Sequence, residues 1–390
     1  MVVKRNWSGL PKELLQLIVE RIKSIEVYVR FGGVCKAWGS VAVKRPRCTV
    51  LREQVPWLML SKDPYSEEAN PDTHSFFRLS DNKVHHLDLP DSKHSQCWGS
   101  PYGWLVIRRN EQMRLLNPLS KVSVALPPLS SLDDYYPGLS MHKVVLTIST
   151  TPTSLTTRLE DKFVVLIIFV GNHGIAFARP GDRAWGTVEL NPKGVCMLQI
   201  INLDILYSNN RFYITTWNGE INCFDISSAN PVLMDFSYYV ANALNKHFYL
   251  VDISGEVHLV ERILKTRKRL PLYSPLEMKP FNCTHRFRVH KLNLSTRKLE
   301  ELDTLGDYAV FLGNNTSFSL LVSDNSGCKR NSIYFTDDHD MEDRRAGPGG
   351  VQGLDMGIYS FETGEVEPLY TCYDFQTRVH FLCAYISRPV

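Results

Sequence analysis

The chain has 390 residues, 44% of them hydrophobic and 22% charged, with a formal net charge of +3. That length suits one large core or two domains, and the composition excludes a disordered or fibrous chain. The longest apolar run, "FVVLIIFV" from Phe163 to Val170, is too short to span a bilayer, and the start lacks the apolar stretch of a signal peptide, so no membrane partner is expected.

The nine cysteines include no C-x-x-C pair; an odd set of this kind argues against a disulfide framework and suits the reducing cytoplasm or nucleus. Charge is uneven. Residues 1–50 hold ten Lys/Arg against three Asp/Glu, a net of +7 that leaves −4 on the rest. A basic head on a mildly acidic body suits a protein partner with acidic edges. The basic residues alternate with apolar ones instead of forming a stripe, so nucleic acid is not expected as a partner.

"WSGLPKELLQLIVERI", residues 7–22, reads as an amphipathic helix with Leu10, Leu14, Leu15, Leu17, Ile18 and Ile22 at helical spacing. Pro11 suits its first turn, where a missing N–H costs nothing. Ser24 can cap a second helix carrying Ile25, Val27, Tyr28, Val29 and Phe31, which Gly32-Gly33 then loosens. A third apolar cluster follows: Val34, Cys35, Ala37, Trp38 and Val41. Three short helices make a very small core, of a kind usually completed by a partner or a neighbouring domain. Cys35 lies in an apolar cluster and is expected to be a buried thiol of low reactivity.

From Pro56 onward the pattern changes to strands every ten to fifteen residues, about 24 in all, bounded by Asn, Asp, Gly or Pro. Examples are "SFFRLS", "WLVIRR", "MRLLN", "KVVLTI", "RFYITTW", "INCFDI", "FYLVDI", "EVHLV", "FRVHKLN" and "GIYSF". A loose unit recurs in which a strand ends in Asn, Asp or Glu and turns through Ser, Thr or Gly, with anchors at Asn117, Asp225, Asn293 and Glu362. Groups of four strands at kelch-type spacing predict a β-propeller of six blades, with seven as the fallback and a pair of β-sandwiches as the rival. A propeller must hide its edges. "PWLML" (Pro56 to Leu60) and "RVHFLCAYI" (Arg378 to Ile386) are apolar, strand-like and flank the two ends of the β region, so they are the expected closing pair.

Chemistry is sparse. "DDHDMEDRRAGPGG" from Asp337 packs carboxylates beside a histidine but lacks the spacing of a calcium loop, and reads as a solvated loop. No paired Cys/His spacing makes a zinc site, and no phosphate loop, G-x-S-x-G or H-E-x-x-H occurs. No catalytic residue, metal or cofactor is therefore nominated. Trp57, Trp98, Trp104, Trp185 and Trp217 sit in or beside strands; they read as packing between blades, and one left exposed on a blade-end loop would read as an anchor for a partner.

Two resemblances follow from these residues. "LPKELLQLIVERIKSIEVYVRFGGVCKAW" resembles an F-box over residues 7–45, departing from it at Gly32-Gly33. By position this implies that Leu10, Pro11, Leu14, Leu15, Ile18, Ile22, Val34, Cys35 and Trp38 contact the Skp adaptor of a cullin-RING (SCF) ubiquitin ligase. "GSPYGWL", "RLLNPLS", "FARPGDRAW", "LGDYAVFLGNNTSFSL" and "KRNSIYFTDD" resemble the plant domain of unknown function 295, assigned to residues 56–390, which follows an F-box in SKIP-type and kelch-like plant proteins. The resemblance implies a non-enzymatic substrate receptor, its propeller binding an unknown protein target. The alternatives are an adaptor-bound scaffold without ubiquitination, or a propeller enzyme or sugar binder.

Overall fold

The computed structural model describes residues 9–21, 31–32, 34–43, 56–59, 72–148 apart from 81, 94, 134, 138 and 140, 162–169, 174–188, 204–227, 231–237, 244–267, 281–336 apart from 314 and 325, 355–367, and the backbone of 382–384. The acidic loop beginning at Asp337 and most of the expected second helix lie outside these residues.

Helix α1 (Lys12–Arg21) starts where expected: the Pro11 carbonyl accepts the amides of Leu14 and Leu15, both at 3.1 Å. Glu13 in its first turn and Arg21 in its last complement the helix dipole. Helix α2 (Lys36–Val43) packs on it. Leu15, Val19, Phe31 and Val41 form their shared core, with Leu10 and Trp38 against it. A Cβ at Gly39 would sit 3.0 Å from the Gly32 carbonyl, so the small residue at 39 lets the two backbones approach.

The remainder is a six-bladed β-propeller. Blade 1 takes β1 (Trp57–Met59), β2 (Thr73–Arg78) and β3 (Lys83–Asp88), and blade 2 takes β4 (Gln96–Gly99), β5 (Leu105–Arg109), β6 (Gln112–Leu116) and β7 (Ser123–Ala125). Blade 3 holds β8 (Met141–Ile148), β9 (Phe163–Phe169), β10 (Gly174–Ala178) and β11 (Gly186–Thr187). Blade 4 holds β12 (Asp204–Ser208), β13 (Arg211–Thr215), β14 (Ile221–Phe224) and β15 (Met234–Ser237). Blade 5 is β16 (Lys246–Ile253), β17 (Glu256–Arg267), β18 (Phe281–Asn293) and β19 (Lys298–Leu302). Blade 6 has five strands, β20 (Tyr308–Leu312), β21 (Phe318–Leu321), β22 (Ser332–Phe335), β23 (Gly357–Ser360) and β24 (Val366–Glu367), in the order β21-β20-β22-β23-β24 with a parallel β20–β22 pair.

Each blade is apolar on both faces, because each is sandwiched between two others. In β9 all seven side chains are buried. Phe163, Val165, Ile167 and Phe169 enter the core shared with blade 2, while Val164, Leu166 and Ile168 enter the one shared with blade 4. Such a strand reads as an unbroken apolar run, since strict alternation requires one wet face. Each of these side chains contributes about 2 kcal/mol by leaving water.

The ring closes through the expected pair. The last strand, β25 (Leu382–Ala384), joins β1 antiparallel, Trp57 opposite Ala384 and Met59 opposite Leu382. Leu58 and Phe77 of blade 1 share a core with Phe311, Phe318 and Tyr334 of blade 6. Three of the four turn anchors work as their chemistry predicts. The Asn117, Asp225 and Asn293 side chains each accept an amide two residues on, at 3.1, 2.8 and 3.1 Å. At the fourth turn the work falls to Ser360 and Thr363, with Gly364 at φ 70°.

Candidate docking face and the axis of the ring

The helical unit leaves an apolar face uncovered. Leu14, Leu17 and Ile18 lie on one side of α1 and are 47%, 52% and 39% exposed; Val34, just before α2, is also exposed. Pro11 is exposed, and Leu10, Cys35 and Trp38 are half-buried. Leu15 is turned the other way, 1% exposed, and Ile22 lies outside the described residues. The residues implied by the F-box resemblance thus divide between an outer face and the unit's own core. Leu17 belongs to that outer face although the resemblance did not include it; its i+3 spacing from Leu14 was the available signal. Trp38 stacks tilted against Phe31 at 4.5 Å, which braces α2.

The axis of the ring carries polar groups that the sequence did not announce. Lys143 on β8 and Asp204 on β12 form a buried ion pair. Asp204 Oδ1 also accepts its neighbour Ile205 N at 2.7 Å. Its Oδ2 accepts Leu250 N at 2.9 Å and the Ser317 hydroxyl at 3.1 Å. Lys143 Nζ also reaches the Gly313 carbonyl at 3.4 Å. Blades 3, 4, 5 and 6 are therefore tied together at one charge. The two oxygens of this carboxylate already accept four donors, which leaves them little capacity for a further partner.

Other titratable groups are similarly engaged. Burial pushes the Tyr102 hydroxyl upward, with Asp252 and Tyr207 adding to the shift. Burial pushes the Cys328 thiol up to about 12, far from nucleophilic use. His86 Nδ1 meets the Ser75 hydroxyl at 3.0 Å, and His85 lies over Trp57. Among the described residues no group of three or more His, Cys, Asp or Glu is placed to hold a metal ion, and no helix is long and apolar enough to cross a membrane.

The tryptophans divide sharply. Trp57, Trp98, Trp104 and Trp185 are buried between blades, the indole of Trp185 donating to the Pro127 carbonyl at 2.9 Å. Trp217 stands 42% exposed on the turn between β13 and β14.

Comparison with known proteins follows the same outline. A relative from Arabidopsis thaliana whose name is that of an F-box protein is 25% identical over 95% of this chain and 93% of its own length. The Arabidopsis F-box protein SKIP23 is 24% identical over 93% of this chain and 91% of its own. Among solved structures, the WD40 domain of SCAP from fission yeast matches 63% of each chain at 12% identity and a TM-score of 0.31. Residues 76–360 match the family described as the KIB1-4 beta-propeller. The chain belongs to the KIB1-4 β-propeller family.

Proposed function

We propose that the chain is the substrate-recognition subunit of an SCF-type ubiquitin ligase. The helical unit docks the Skp adaptor, and the ring, which carries the resemblance to the domain of unknown function 295, binds a target protein. The observation that carries this reading is the outward apolar face of Leu14, Leu17, Ile18 and Val34 on a unit with four core residues among those described. Relatives with F-box names along nearly the whole chain support it. An apolar helix face laid into a groove is a common mode of recognition. The ring does no chemistry. It raises the effective concentration of the target's lysines near the charged ubiquitin carrier. Localisation to cytoplasm or nucleus is part of the same proposal.

The test replaces Leu14 and Ile18 together by aspartate and measures capture of recombinant Skp adaptor by the full chain. Central apolar anchors are worth about 2 kcal/mol or more each, so capture falls by more than about a thousandfold. Both side chains point away from the core, so the melting of the ring stays as in wild type. Undiminished capture makes α1 a structural cap and ends the receptor reading. Substituting Leu15 would not test it, because that residue's loss opens the unit's core.

A further inference from the structure

Strand direction decides which loops share a face of the ring. Asp204, the first residue of β12, accepts the Leu250 amide of β16, and Ser208, its last, donates to Asp252 at 2.5 Å, so β12 and β16 run the same way. β13 and β17 run back antiparallel to them. The turn 216–220, the pair Leu244–Asn245 before β16, and the free end of the β17–β18 hairpin therefore emerge on one face, where blades 4 and 5 meet. β13 also packs on β16.

This junction presents a fixed aromatic, an aliphatic and a group of cations. The Trp217 turn is held by Thr216 N to the Glu220 carbonyl at 2.9 Å, Gly219 N to the Thr216 carbonyl at 3.0 Å and Glu220 N to Asn218 Oδ1 at 3.3 Å. Gly219 has φ 80°, a conformation that a side chain would strain. Leu244 is 78% exposed, and the next residue's carbonyl accepts Leu264 N at 2.9 Å, which pins it beside Lys265. Lys265, His285 and Arg286 are exposed on the hairpin. The hairpin's own Glu261 is buried in an ion pair with Lys246. Glu220 is the half-buried acid of the Trp217 turn.

We propose that this junction is a docking surface for an acidic segment of a protein that carries a large apolar side chain. Trp217 and Leu244 cover the apolar side chain, and Lys265 and Arg286 face the carboxylates. The inference deepens the receptor reading and rests on it for the ring's role. Charge complementarity selects the acidic partner. Leu244 selects protein over nucleic acid, because an aliphatic side chain offers a base nothing to stack on.

The test measures anisotropy of three labelled probes with the full chain. They are a peptide of alternating glutamate and leucine with one central tryptophan, the same peptide with lysine for glutamate, and a single-stranded DNA oligonucleotide of matched length. The acidic peptide binds at least about tenfold tighter than either other probe, and more weakly as salt rises. Trp217→Ala weakens it about tenfold with unchanged melting. Lys265→Glu with Arg286→Glu abolishes its binding. The proposal is overturned if the acidic peptide binds no tighter than the lysine peptide, if Trp217→Ala leaves it unaffected, or if the oligonucleotide binds best. A chain that captures the adaptor yet gives any of these results keeps the receptor role and loses this surface.

Discussion

Arg262 offers a stringent test of how neighbouring blades are held. Its side chain is wholly buried, yet its donors all find partners. Nε donates to the Thr284 hydroxyl at 2.8 Å, and Nη1 to the Tyr249 hydroxyl at 3.1 Å and the Thr336 carbonyl at 2.9 Å. Nη2 donates to the Asp355 carbonyl at 3.0 Å and to its carboxylate at 2.9 Å. That carboxylate also accepts Thr284 N at 2.8 Å and the Thr284 hydroxyl at 2.9 Å, while the Phe335 ring lies 4.8 Å from the guanidinium carbon. Thr284 and Tyr249 belong to blade 5, and Thr336 and Asp355 to blade 6, so one cation bridges two sheets. Arg262→Met keeps most of the stem's packing but leaves Asp355 buried without its counter-ion. Breaking such a pair costs about 3–5 kcal/mol, a large share of the roughly 5–15 kcal/mol that holds a domain together. Urea unfolding followed by tryptophan fluorescence reads the loss as a lowered midpoint at constant slope. Arg262→Met with Asp355→Asn removes both charges and recovers about 2 kcal/mol. Arg330→Met, which breaks the exposed pair with Asp307, leaves the midpoint where it was. An Arg262→Met midpoint within error of wild type, or a double variant no better than the single one, refutes the bridge.

Two further predictions concern the same ring. Burial alone would raise the Glu261 carboxyl, but hydrogen bonds from His290 and Lys246 and the charges of Lys246 and Arg288 outweigh it and bring it to about 2, below its ordinary 4.5. A depressed folded value means stability that is fully present above pH 4.5 and lost as pH falls toward 2, amounting to about 3 kcal/mol. Glu261→Gln should thus be less stable at neutral pH and converge on wild type near pH 2; parallel acid limbs in urea titrations would count against it. Deleting residues 376–390 removes β25, bares the edge of β1 and leads to aggregation. Deleting 1–45 instead leaves a cooperative, monomeric ring. A C-terminal deletion that stays monomeric in light scattering and unfolds like full length would show that the ring does not need its closing strand.

Much of this fold was written locally. "FVVLIIF" is β9, the Asx turns at Asn117, Asp225 and Asn293 make the bonds their side chains allow, and the closing strands could be named from two apolar stretches at the ends of the β region. Blade 6 was not legible. Its chain enters through β20, steps to the axis for β21 and returns beyond β20 for β22, so a parallel pair arises where alternating patterns predict only hairpins. Nothing local distinguishes that path, because β20, β21 and β22 are each short apolar strands of ordinary composition. The Lys143–Asp204 tie was hidden for a related reason. A lysine in "HKVVLTI" and an aspartate in "LDILYS" look like solvated strand ends, and only ring geometry brings them together. In α1, spacing defined an apolar stripe, but a stripe wide enough for two faces does not say which half turns inward.

That division within α1 bears on how the two parts of the chain are stabilised. The ring has an apolar core between every pair of neighbouring blades, including the closing pair of blades 6 and 1. It has no need of a partner to bury its apolar surface. Among the described residues, the helical unit has a core of Leu15, Val19, Phe31 and Val41 and leaves three large aliphatics of α1 about half exposed. Leu14, Leu17 and Ile18 are about half exposed, so covering them on binding would contribute roughly half of the 1.5–3 kcal/mol of full burial each, an addition to a small core. On the receptor reading, adaptor binding therefore completes the folding of the helical unit. The Trp217 junction, by contrast, sits on a turn whose backbone is already fixed by hydrogen bonds before any target arrives. Adaptor capture should accordingly raise the protection of α1 and α2 against amide exchange and leave the ring unchanged.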